Sequence, residues 1–326
     1  MSRTLNSLRG EVIVVTGGAG FIGSHLCDRI AAADPRRLVI IDDFSLGNLG
    51  NIKDIDRKRN VKVYKKDATD YQALKNIFSK EHPDVVFNLA VLPLPKSLEL
   101  PMETIEANVI ITTSLCELLR KEMFKTLIHC SSSEAYGSAL YVPMDENHPE
   151  KPLTPYAASK IACDQIAISY HKTFTLDIAV ARPFNSYGPR QNARSYAGVI
   201  PLTINRILRG EAPVIFGDGN QTRDYTFVED TVRGILGVYK CSDSRGKVVN
   251  IASGKEVSIK HIMDLIVRMT GYDGKIIHRP SRPGDVRRHR GDISLAKRLF
   301  DYAPKVDLNE GLRRTIDWYS GGLYKN

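Results

Sequence analysis

The sequence predicts an α/β protein in which a doubly wound parallel sheet is followed by a smaller C-terminal α/β domain. The first observation is an alternation of short β-branched runs with helix-like segments, which is typical of a parallel sheet with helices on both faces. The second is the loss of this alternation after Pro183, in the region where doubly wound proteins usually gather their ligand contacts. We therefore expect a first domain at 1–182, joined by about 218–250, and a second domain at 183–217 and 251–326.

The spacing of apolar residues predicts each element in order. Strands are expected at 12–15, 38–41, 61–64, 85–89, 126–130 and 177–181. Helices with an apolar stripe are expected at 22–33, 71–81, 105–121 and 156–173. Beyond Pro183 we expect loops at 187–197 and 216–223, a helix at 259–270 and a polar tail from residue 279 onward.

Composition excludes several classes of protein. The longest apolar runs are strand-sized, far below the roughly 20 residues of a membrane-spanning helix, and residues 1–10 lack the apolar stretch of a secretory signal. The five cysteines are scattered and never spaced as CxxC, which favours reduced thiols in the cytoplasm over disulfides or a zinc site. The net charge of +9 suits an anionic ligand. The dense basic cluster at 287–290 has no interleaved aromatic residues, so no nucleic-acid partner is expected.

A glycine-rich turn follows the first predicted strand, and a helix follows the turn, in the order TGGAGFIG then SHLCDRI. Gly17 permits a tight turn, Gly20 lets the backbone approach a pyrophosphate, and Gly23 lets the helix lie close to the sheet. The free N–H groups of the helix N-terminus, around Phe21 and Ile22, would face the phosphates. This order predicts a dinucleotide-binding Rossmann fold.

An acidic residue follows the turn at the distance expected for ribose recognition. Asp42 lies about 20 residues beyond the glycines, at the end of the second strand. Its carboxylate can accept hydrogen bonds from ribose hydroxyls and would repel a 2′-phosphate, so NAD is favoured over NADP. Asp43 is a neighbouring alternative. The sequence therefore predicts a bound NAD that serves redox chemistry.

A second motif, YAASK, places Tyr156 and Lys160 four residues apart on a predicted helix. Residues at this spacing project from one face, so the Lys160 ammonium can lower the pKa of the Tyr156 phenol and make it a general base. The polar run SSSEAYG follows the strand at 126–130, and ligands bind at the carboxyl ends of such strands. A hydroxyl of this run could hydrogen-bond the substrate oxygen that Tyr156 deprotonates.

Together these motifs resemble the extended short-chain dehydrogenase/reductases, the family of NAD-dependent sugar-nucleotide epimerases and dehydratases. The similar stretches are TGGAGFIG, IIDDFS, Asp67, NLA at 88–90, Asn108, SSSEAYG, YAASK, RPFN at 182–185, residues 220–230 and RPGD at 282–285. The resemblance implies that Asp67 contacts the adenine and that Lys160 also holds the nicotinamide ribose. The further cofactor-lining residues that it implies are Ala68, Leu89, Ala90 and Asn108.

The resemblance also implies substrate contacts and an oligomeric state. Ser132 corresponds to the family's hydroxyl that polarises the sugar C4 oxygen. The residues expected to hold the nucleotide sugar, through the diphosphate, the nucleoside ribose or the sugar, are Ser133, Asn185, Arg223, Arg282 and Asp285. The helices at 105–121 and 156–173 resemble the pair that forms a four-helix dimer interface, so a homodimer is expected.

The reaction is expected to begin with transient oxidation at C4. Tyr156 takes the proton of the 4-hydroxyl while hydride leaves C4 for NAD, which gives a 4-keto sugar. A 4-epimerase then returns hydride to the other face and needs no further acid or base. A 4,6-dehydratase needs a base for the C5 proton, and Glu134 stands where the family's dehydratases and uronic acid decarboxylases carry glutamate. Glu134 favours a 4,6-dehydratase of a nucleoside-diphosphate hexose or N-acetylhexosamine.

Other residues keep a 4-epimerase of the UDP-glucose/galactose type as the alternative. Ser133 stands where one group of dehydratases has an aspartic acid, and serine is a poor proton donor to a leaving hydroxide. The stretch RPGDVRRHRGDIS resembles the epimerase version. His289 stands where decarboxylases tend to place an arginine, so a UDP-uronate decarboxylase is disfavoured. A non-catalytic NAD-binding protein is also disfavoured, because the serine, tyrosine and lysine of the reaction are all present.

Overall fold

A computed structural model describes residues 8–192, 198–281 and 285–321. Its strands, in chain order, are β1 Val12–Thr16, β2 Arg37–Asp42, β3 Val61–Lys65, β4 Val85–Asn88, β5 Thr126–Cys130, β6 Asp177–Pro183, β7 Asn185–Tyr187, β8 Val214–Phe216, β9 Thr222–Arg223, β10 Tyr225–Phe227, β11 Val248–Ile251, β12 Val257–Ser258 and β13 Ile277–Arg279. Its helices are α1 Phe21–Ala32, α2 Tyr71–Glu81, α3 Leu94–Glu99, α4 Pro101–Arg120, α5 Pro155–Phe174, α6 Val199–Leu208, α7 Val228–Lys240, α8 Ile259–Thr270, α9 Ser294–Phe300 and α10 Leu308–Ser320.

The main sheet has seven strands in the order β11, β6, β5, β4, β1, β2 and β3, and every pair of neighbours is parallel. The strand order reverses between β1 and β4, where a doubly wound sheet forms its ligand-binding crevice. The predicted doubly wound fold is confirmed. The seventh strand, β11, was not among the strands predicted from the sequence.

The sheet is buried on both faces, which explains its continuous apolar strands. In β1, Ile13 and Val15 pack on one side with α1 and α7, while Val12 and Val14 pack on the other with α2, α4 and α5. Successive side chains of a strand point to opposite faces of the sheet, so a strand that is buried on both faces is apolar at every position. The resulting rigid sheet holds the carboxyl ends of its strands in fixed positions.

Helix α5 has a well-defined start, which matters because it carries the YAASK motif. Thr154 caps the helix by accepting a hydrogen bond from the backbone N–H of Ala157 at 3.2 Å, and Pro155 occupies the first helical position. Tyr156 therefore lies in the first turn, next to the carboxyl end of β5, and Lys160 lies one turn further along.

The chain beyond Pro183 builds a third apolar core from α6, α8 and α10, accompanied by the short strand pairs β7–β10, β8–β13 and β9–β12. The predicted polar tail from residue 279 is wrong, because this segment contains α9 and α10. Leu308, Leu312 and Ile316 recur every four residues among charged residues, and this stripe packs into the core. Among the described helices, none has the length and apolarity that crossing a bilayer requires.

Candidate active site

A cavity of about 1120 Å³ opens at the carboxyl ends of the central strands and extends to β8, β9 and β13. It brings together nearly all of the site residues predicted from the sequence. Those that line it are Gly17, Gly20, Phe21, Ile22, Gly23, Asp42, Asp67, Ala68, Leu89, Ala90, Ser132, Ser133, Glu134, Tyr156, Lys160, Asn185, Arg223 and Asp285. Arg282 lies outside the described residues.

The glycine-rich turn has a geometry that larger residues would disturb. Gly17 has a φ of +67°, and a Cβ on it would lie 2.7 Å from the backbone nitrogen of Ala90. A Cβ on Gly23 would lie 2.1 Å from the carbonyl oxygen of Gly17. Gly20 is the N-cap residue of α1, its position makes no side-chain cap hydrogen bond, and Gly20, Phe21, Ile22 and Gly23 line the cavity. These features fit the pyrophosphate of a dinucleotide.

Asp42 braces the turn from the end of β2. Its two carboxylate oxygens accept hydrogen bonds from the backbone N–H groups of Ala19 and Phe44, each at 2.9 Å. Burial raises the pKa of the Asp42 carboxyl above its ordinary value, against the opposing effect of these hydrogen bonds. Each carboxylate oxygen has a second lone pair, so Asp42 can also accept hydrogen bonds from ribose hydroxyls.

Asn108, predicted to line the cofactor, lies behind the wall of the cavity and is buried. Its side-chain oxygen accepts a hydrogen bond from the backbone N–H of Leu92 at 2.8 Å. Its amide nitrogen donates to the Leu92 carbonyl at 3.2 Å and to the Ser159 hydroxyl at 2.9 Å. Asn108 therefore fixes the loop after β4, which itself lines the cavity, to helix α5.

Ser132, Tyr156 and Lys160 meet at the carboxyl end of β5. The Ser132 hydroxyl caps the short 3-10 turn Ser133–Tyr136 by accepting a hydrogen bond from the backbone N–H of Glu134 at 3.3 Å, and the Ser132 side chain also interacts with the Tyr156 phenol. The buried Lys160 ammonium donates to the carbonyl oxygen of Cys130 at 2.6 Å. The geometry thus brings a hydroxyl and a phenol to one point of the cavity, with an ammonium beside them.

The proton affinity of Tyr156 differs from the sequence-based expectation. Burial, the largest influence, raises the pKa of the phenol well above its ordinary value, and the hydrogen bond from Ser132 opposes this. The carboxylates of Glu134 and Asp164 reinforce the rise. The lowering predicted from the spacing of Tyr156 and Lys160 is therefore outweighed by desolvation in the protein alone.

Glu134 lies two residues beyond Ser132 in the same 3-10 turn, and it lines the cavity. Burial raises the pKa of its carboxyl, the charge of Arg223 lowers it, and the charge of Asp285 raises it. A carboxylate whose proton affinity is raised by its environment is better matched to general base catalysis near neutral pH than an exposed one.

The far end of the cavity contains charged groups that suit an anion. Arg223 forms an ion pair with Asp285 and donates a hydrogen bond to the backbone carbonyl of Val286. The buried amide nitrogen of Asn185 has no hydrogen-bond partner among the described residues. An arginine and an unpartnered amide donor can both bind diphosphate oxygens.

Sequence reasoning missed several residues that line this end of the cavity, including Gln221 and Tyr225. Gln221 donates hydrogen bonds to the Phe216 carbonyl at 2.8 Å and to the Asp285 carboxylate at 3.4 Å. The signal was available, because Gln221 and Tyr225 lie two residues before and two residues after Arg223, and alternate residues of an extended segment share a side.

The fold and the cavity define a class of dinucleotide-binding α/β enzymes, with a tyrosine, a serine and a lysine gathered at one point of the cavity wall. Comparison with known proteins agrees with this class. The family model described as GDP-mannose 4,6 dehydratase matches residues 14–315. The chain therefore belongs to the NAD-dependent sugar-nucleotide epimerases and dehydratases of the extended short-chain dehydrogenase/reductase family.

Relatives with different activities cover nearly the whole chain. The UDP-glucose 4-epimerase of Mycolicibacterium smegmatis is 33% identical over 94% of this chain and 97% of its own. The crystal structure of UDP-glucose 4-epimerase from Thermotoga maritima with UDP-glucose has a TM-score of 0.90 and 34% identity, covering 96% of this chain and 99% of its own. A dTDP-glucose 4,6-dehydratase structure from Streptomyces venezuelae with NAD bound has a TM-score of 0.89 and 28% identity, covering 95% and 97%.

Proposed function

We propose that this enzyme is a 4,6-dehydratase of a nucleoside-diphosphate hexose or N-acetylhexosamine. The observation that carries the proposal is the position of Glu134, which lines the cavity in the same turn as Ser132 and interacts electrostatically with Tyr156. A carboxylate at this place is required for dehydration and not for 4-epimerisation, because only dehydration removes the C5 proton.

The first step is deprotonation of the 4-hydroxyl of the sugar. Tyr156 accepts this proton in its phenolate form, which the Lys160 ammonium on the same helix face favours, and the Ser132 hydroxyl beside the phenol donates to the same sugar oxygen. NAD, when bound, supplies the acceptor for the C4 hydride and later returns it, so that the reaction has no net redox change. Gly17, Gly20, Gly23 and Asp42 would hold it in the geometry described above.

The second step uses Glu134. The 4-keto group acidifies the C5 proton, and the Glu134 carboxylate removes it. The C6 hydroxyl then leaves as water with the proton that Glu134 has accepted, since Ser133 provides no acid at the neighbouring position. The resulting double bond between C5 and C6 is completed by the hydride at C6 and by a solvent-derived proton at C5, and the proton that Tyr156 took from the 4-hydroxyl passes to solvent. At the opposite end of the cavity, we propose that Asn185, Arg223 and Asp285 hold the nucleoside diphosphate. Asn185 and Asp285 belong to a proposed substrate-binding domain at 183–217 and 251–326, and Arg223 belongs to the segment at about 218–250 that joins the first domain.

A UDP-sugar 4-epimerase is the second candidate, and the relatives favour it. The Mycolicibacterium smegmatis and Thermotoga maritima proteins, at 33% and 34% identity, are both UDP-glucose 4-epimerases. In that case Glu134 would only shape the sugar subsite, and Tyr156 and Ser132 would act as above.

One experiment separates the two candidates. The protein is incubated with a panel of UDP-, GDP-, CDP- and dTDP-sugars in heavy water, and the products are followed by NMR. A 4,6-dehydratase is expected to give a 4-keto-6-deoxy sugar that carries deuterium at C5. Clean inversion at C4 without deuterium would refute dehydration and leave the epimerase.

Two substitutions test the roles of the side chains. Glu134→Gln keeps the size of the side chain and removes the base, so we expect dehydratase turnover to fall by about 100-fold or more, at the lower end of what a general base contributes. The same variant of an epimerase would remain largely active. Tyr156→Phe is expected to impair either reaction, and full turnover in this variant would contradict the whole proton-transfer scheme.

We also propose that the enzyme is a homodimer. Exposed apolar side chains occur on α3, α4 and the end of α5, namely Leu98, Met102, Ile105, Ile110 and Phe174. Helices α4 and α5 pack against each other, so a second copy placed against these side chains would complete a bundle of four helices.

The free cysteines of the described chain fit a cytoplasmic location, which we propose for the enzyme.

A further inference from the structure

A cluster of buried charged and polar side chains lies directly behind the serine turn of the active site. Asp164, Arg182 and His129 are each only 1% exposed, and none of them lines the cavity. Burying charges is unfavourable unless they are paired and hydrogen-bonded, so such a cluster needs a structural or functional reason. The reaction steps proposed above do not use it.

Asp164 and Arg182 connect three parts of the site. One oxygen of the Asp164 carboxylate accepts hydrogen bonds from the Ser131 hydroxyl and from Arg182, the latter at 2.7 Å. The Arg182 guanidinium also donates to Glu150 at 2.7 Å and lies 4.5 Å from the centroid of the Tyr136 ring. Ser131 and Tyr136 lie at the two ends of the turn that carries Ser132 and Glu134. The ion pair of Asp164 and Arg182 therefore contacts both ends of that turn.

The other side of Asp164 faces the central strands without a hydrogen bond to them among the described residues. Its second oxygen lies 3.5 Å from Nε2 of His129, whose Nδ1 contacts the Asn88 amide at 3.1 Å. Burial and the charges of Lys160 and Arg182 hold the pKa of His129 well below its ordinary value, so the ring is neutral. Asn88 in turn accepts a hydrogen bond from Thr16 at 2.8 Å, at the start of the glycine-rich turn.

Asp164 is also fixed relative to the reacting groups by its place on α5. It lies four residues beyond Lys160 and eight beyond Tyr156, so all three side chains share one face of the helix. A helix held at one position along this face is held at the others, because the backbone hydrogen bonds make it rigid over two turns.

We propose that Asp164 is a positioning residue that, through Ser131 and Arg182, holds the turn bearing Ser132 and Glu134 against the helix bearing Tyr156 and Lys160. The Ser132 hydroxyl and the Tyr156 phenol come from different elements, and Asp164 fixes the separation between them. This inference rests on the first step of the proposed function, which a 4,6-dehydratase and a 4-epimerase share.

The test compares Asp164→Asn with Asp164→Glu, which restores the charge. The substrate is UDP-glucose or dTDP-glucose, whichever the wild type converts. A misplacement of about 1 Å at a reacting group lowers turnover by roughly 100-fold, so we expect kcat of Asp164→Asn to fall about 10- to 100-fold with KM within about threefold. Asp164→Glu is expected to recover part of kcat. An unchanged kcat, or an effect confined to KM, would overturn the proposal.

A matched control separates positioning from stability. Asp230 is 2% exposed, pairs with Arg233 at 2.6 Å and accepts hydrogen bonds from backbone amides near Lys305, but it does not line the cavity. Asp230→Asn is expected to lower the unfolding temperature and keep kcat. If Asp230→Asn lost as much kcat as Asp164→Asn, loss of stability would explain both, and the proposal would be refuted.

Two further measurements keep the outcome decisive. If Asp164→Asn does not fold, the double variant Asp164→Asn with Arg182→Met removes both charges, which buried sites tolerate better than one unpaired charge; wild-type kcat in this variant would refute the proposal. A crystal structure of either variant is expected to show the Ser132 hydroxyl displaced from the Tyr156 phenol, whichever sugar is the substrate. Unchanged positions would refute the inference even if the enzyme converts neither sugar, whereas C4 inversion by the wild type would refute only the dehydratase assignment.

Discussion

Two glycines of the cofactor turn, Gly20 and Gly23, are expected to respond differently to substitution by alanine. A Cβ on Gly23 would lie 2.1 Å from the carbonyl oxygen of Gly17, closer than the 3.0 Å below which real Cβ atoms are essentially never found, so the turn or the helix must move by about 0.9 Å. A Cβ on Gly20 would lie 3.1 Å from the same oxygen, which a shift of a few tenths of an ångström relieves. Gly23→Ala is therefore expected to displace the protein backbone. Gly20→Ala mainly fills part of the cavity beside the turn, where the pyrophosphate is expected to bind.

The expected magnitudes follow from this difference. Forcing a methyl group into packed backbone costs about 1–3 kcal/mol, and the clash at Gly23 belongs at the upper end. With an unfolding entropy of about 2.1 cal/mol/K per residue, a chain of 326 residues loses about 1.5 °C per kcal/mol, so Gly23→Ala should lower the unfolding temperature of the NAD-free protein by roughly 3–5 °C. Gly20→Ala should change it little. If the pyrophosphate lies against Gly20, the same 1–3 kcal/mol appears as a rise of roughly 5- to 150-fold in the Kd for NAD.

The assay needs two measurements on each variant of the NAD-free protein. Differential scanning calorimetry gives the unfolding temperature, and isothermal titration calorimetry with NAD gives the Kd. The reasoning fails if Gly23→Ala unfolds at the wild-type temperature, or if Gly20→Ala binds NAD as tightly as the wild type does.

Two other predictions concern stability and assembly. Burial raises the pKa of Asp224 from its ordinary value of 3.8 to about 6. The folded state therefore holds a proton that the unfolded chain has released between these pH values, and its free energy of unfolding falls by about 3 kcal/mol as the pH rises through them. Urea unfolding of the wild type and Asp224→Asn at pH 4 and pH 7 should show this fall only in the wild type, and a constant difference between the two proteins would contradict it. Ile110→Glu, at an exposed apolar position of α4, should convert a dimer into a monomer in sedimentation velocity. Leu208→Glu, at an apolar position of α6 that is 46% exposed, should not. An unchanged dimer in Ile110→Glu would exclude this part of α4 from the interface.

The sequence predicts the sheet well because its strands are apolar on both faces and are separated by regular helices. The same reasoning failed for α10, where Leu312 and Ile316 lie among arginines and acids that conceal their four-residue spacing. The resemblance implies a place at the cofactor for Asn108, whose side chain lies behind the cavity wall and hydrogen-bonds Leu92 and Ser159. A side chain's neighbours in the chain reveal its element, but the partner that its polar atoms reach is decided by tertiary packing.

Asp164 is a second residue whose partners are decided by tertiary packing and cannot be found from its neighbours in the sequence. It stands in a helix between Cys163 and Gln165 as an ordinary acidic residue. Nothing in its sequence neighbourhood indicates an ion pair with Arg182, which lies 18 residues further along the chain on β6. Only the parallel arrangement of β5 and β6 beside α5 brings Ser131, Arg182 and Asp164 to one point. Polar groups that support a site from behind are therefore expected to escape any search that begins with motifs.

The Tyr156 phenol illustrates why proximity along a helix does not determine proton affinity. The four-residue spacing correctly places Lys160 on the same face, and an ammonium close to a phenol favours the phenolate. Burial acts in the opposite direction on the same group, and it is the largest influence on the pKa of Tyr156, which is raised. Lys160 meanwhile donates its hydrogen bond to the Cys130 carbonyl, an acceptor at the carboxyl end of β5 that no sequence motif identifies. Spacing can therefore show which charges meet, but the depth of the site below the protein surface decides whether the charged or the neutral form of the phenol prevails.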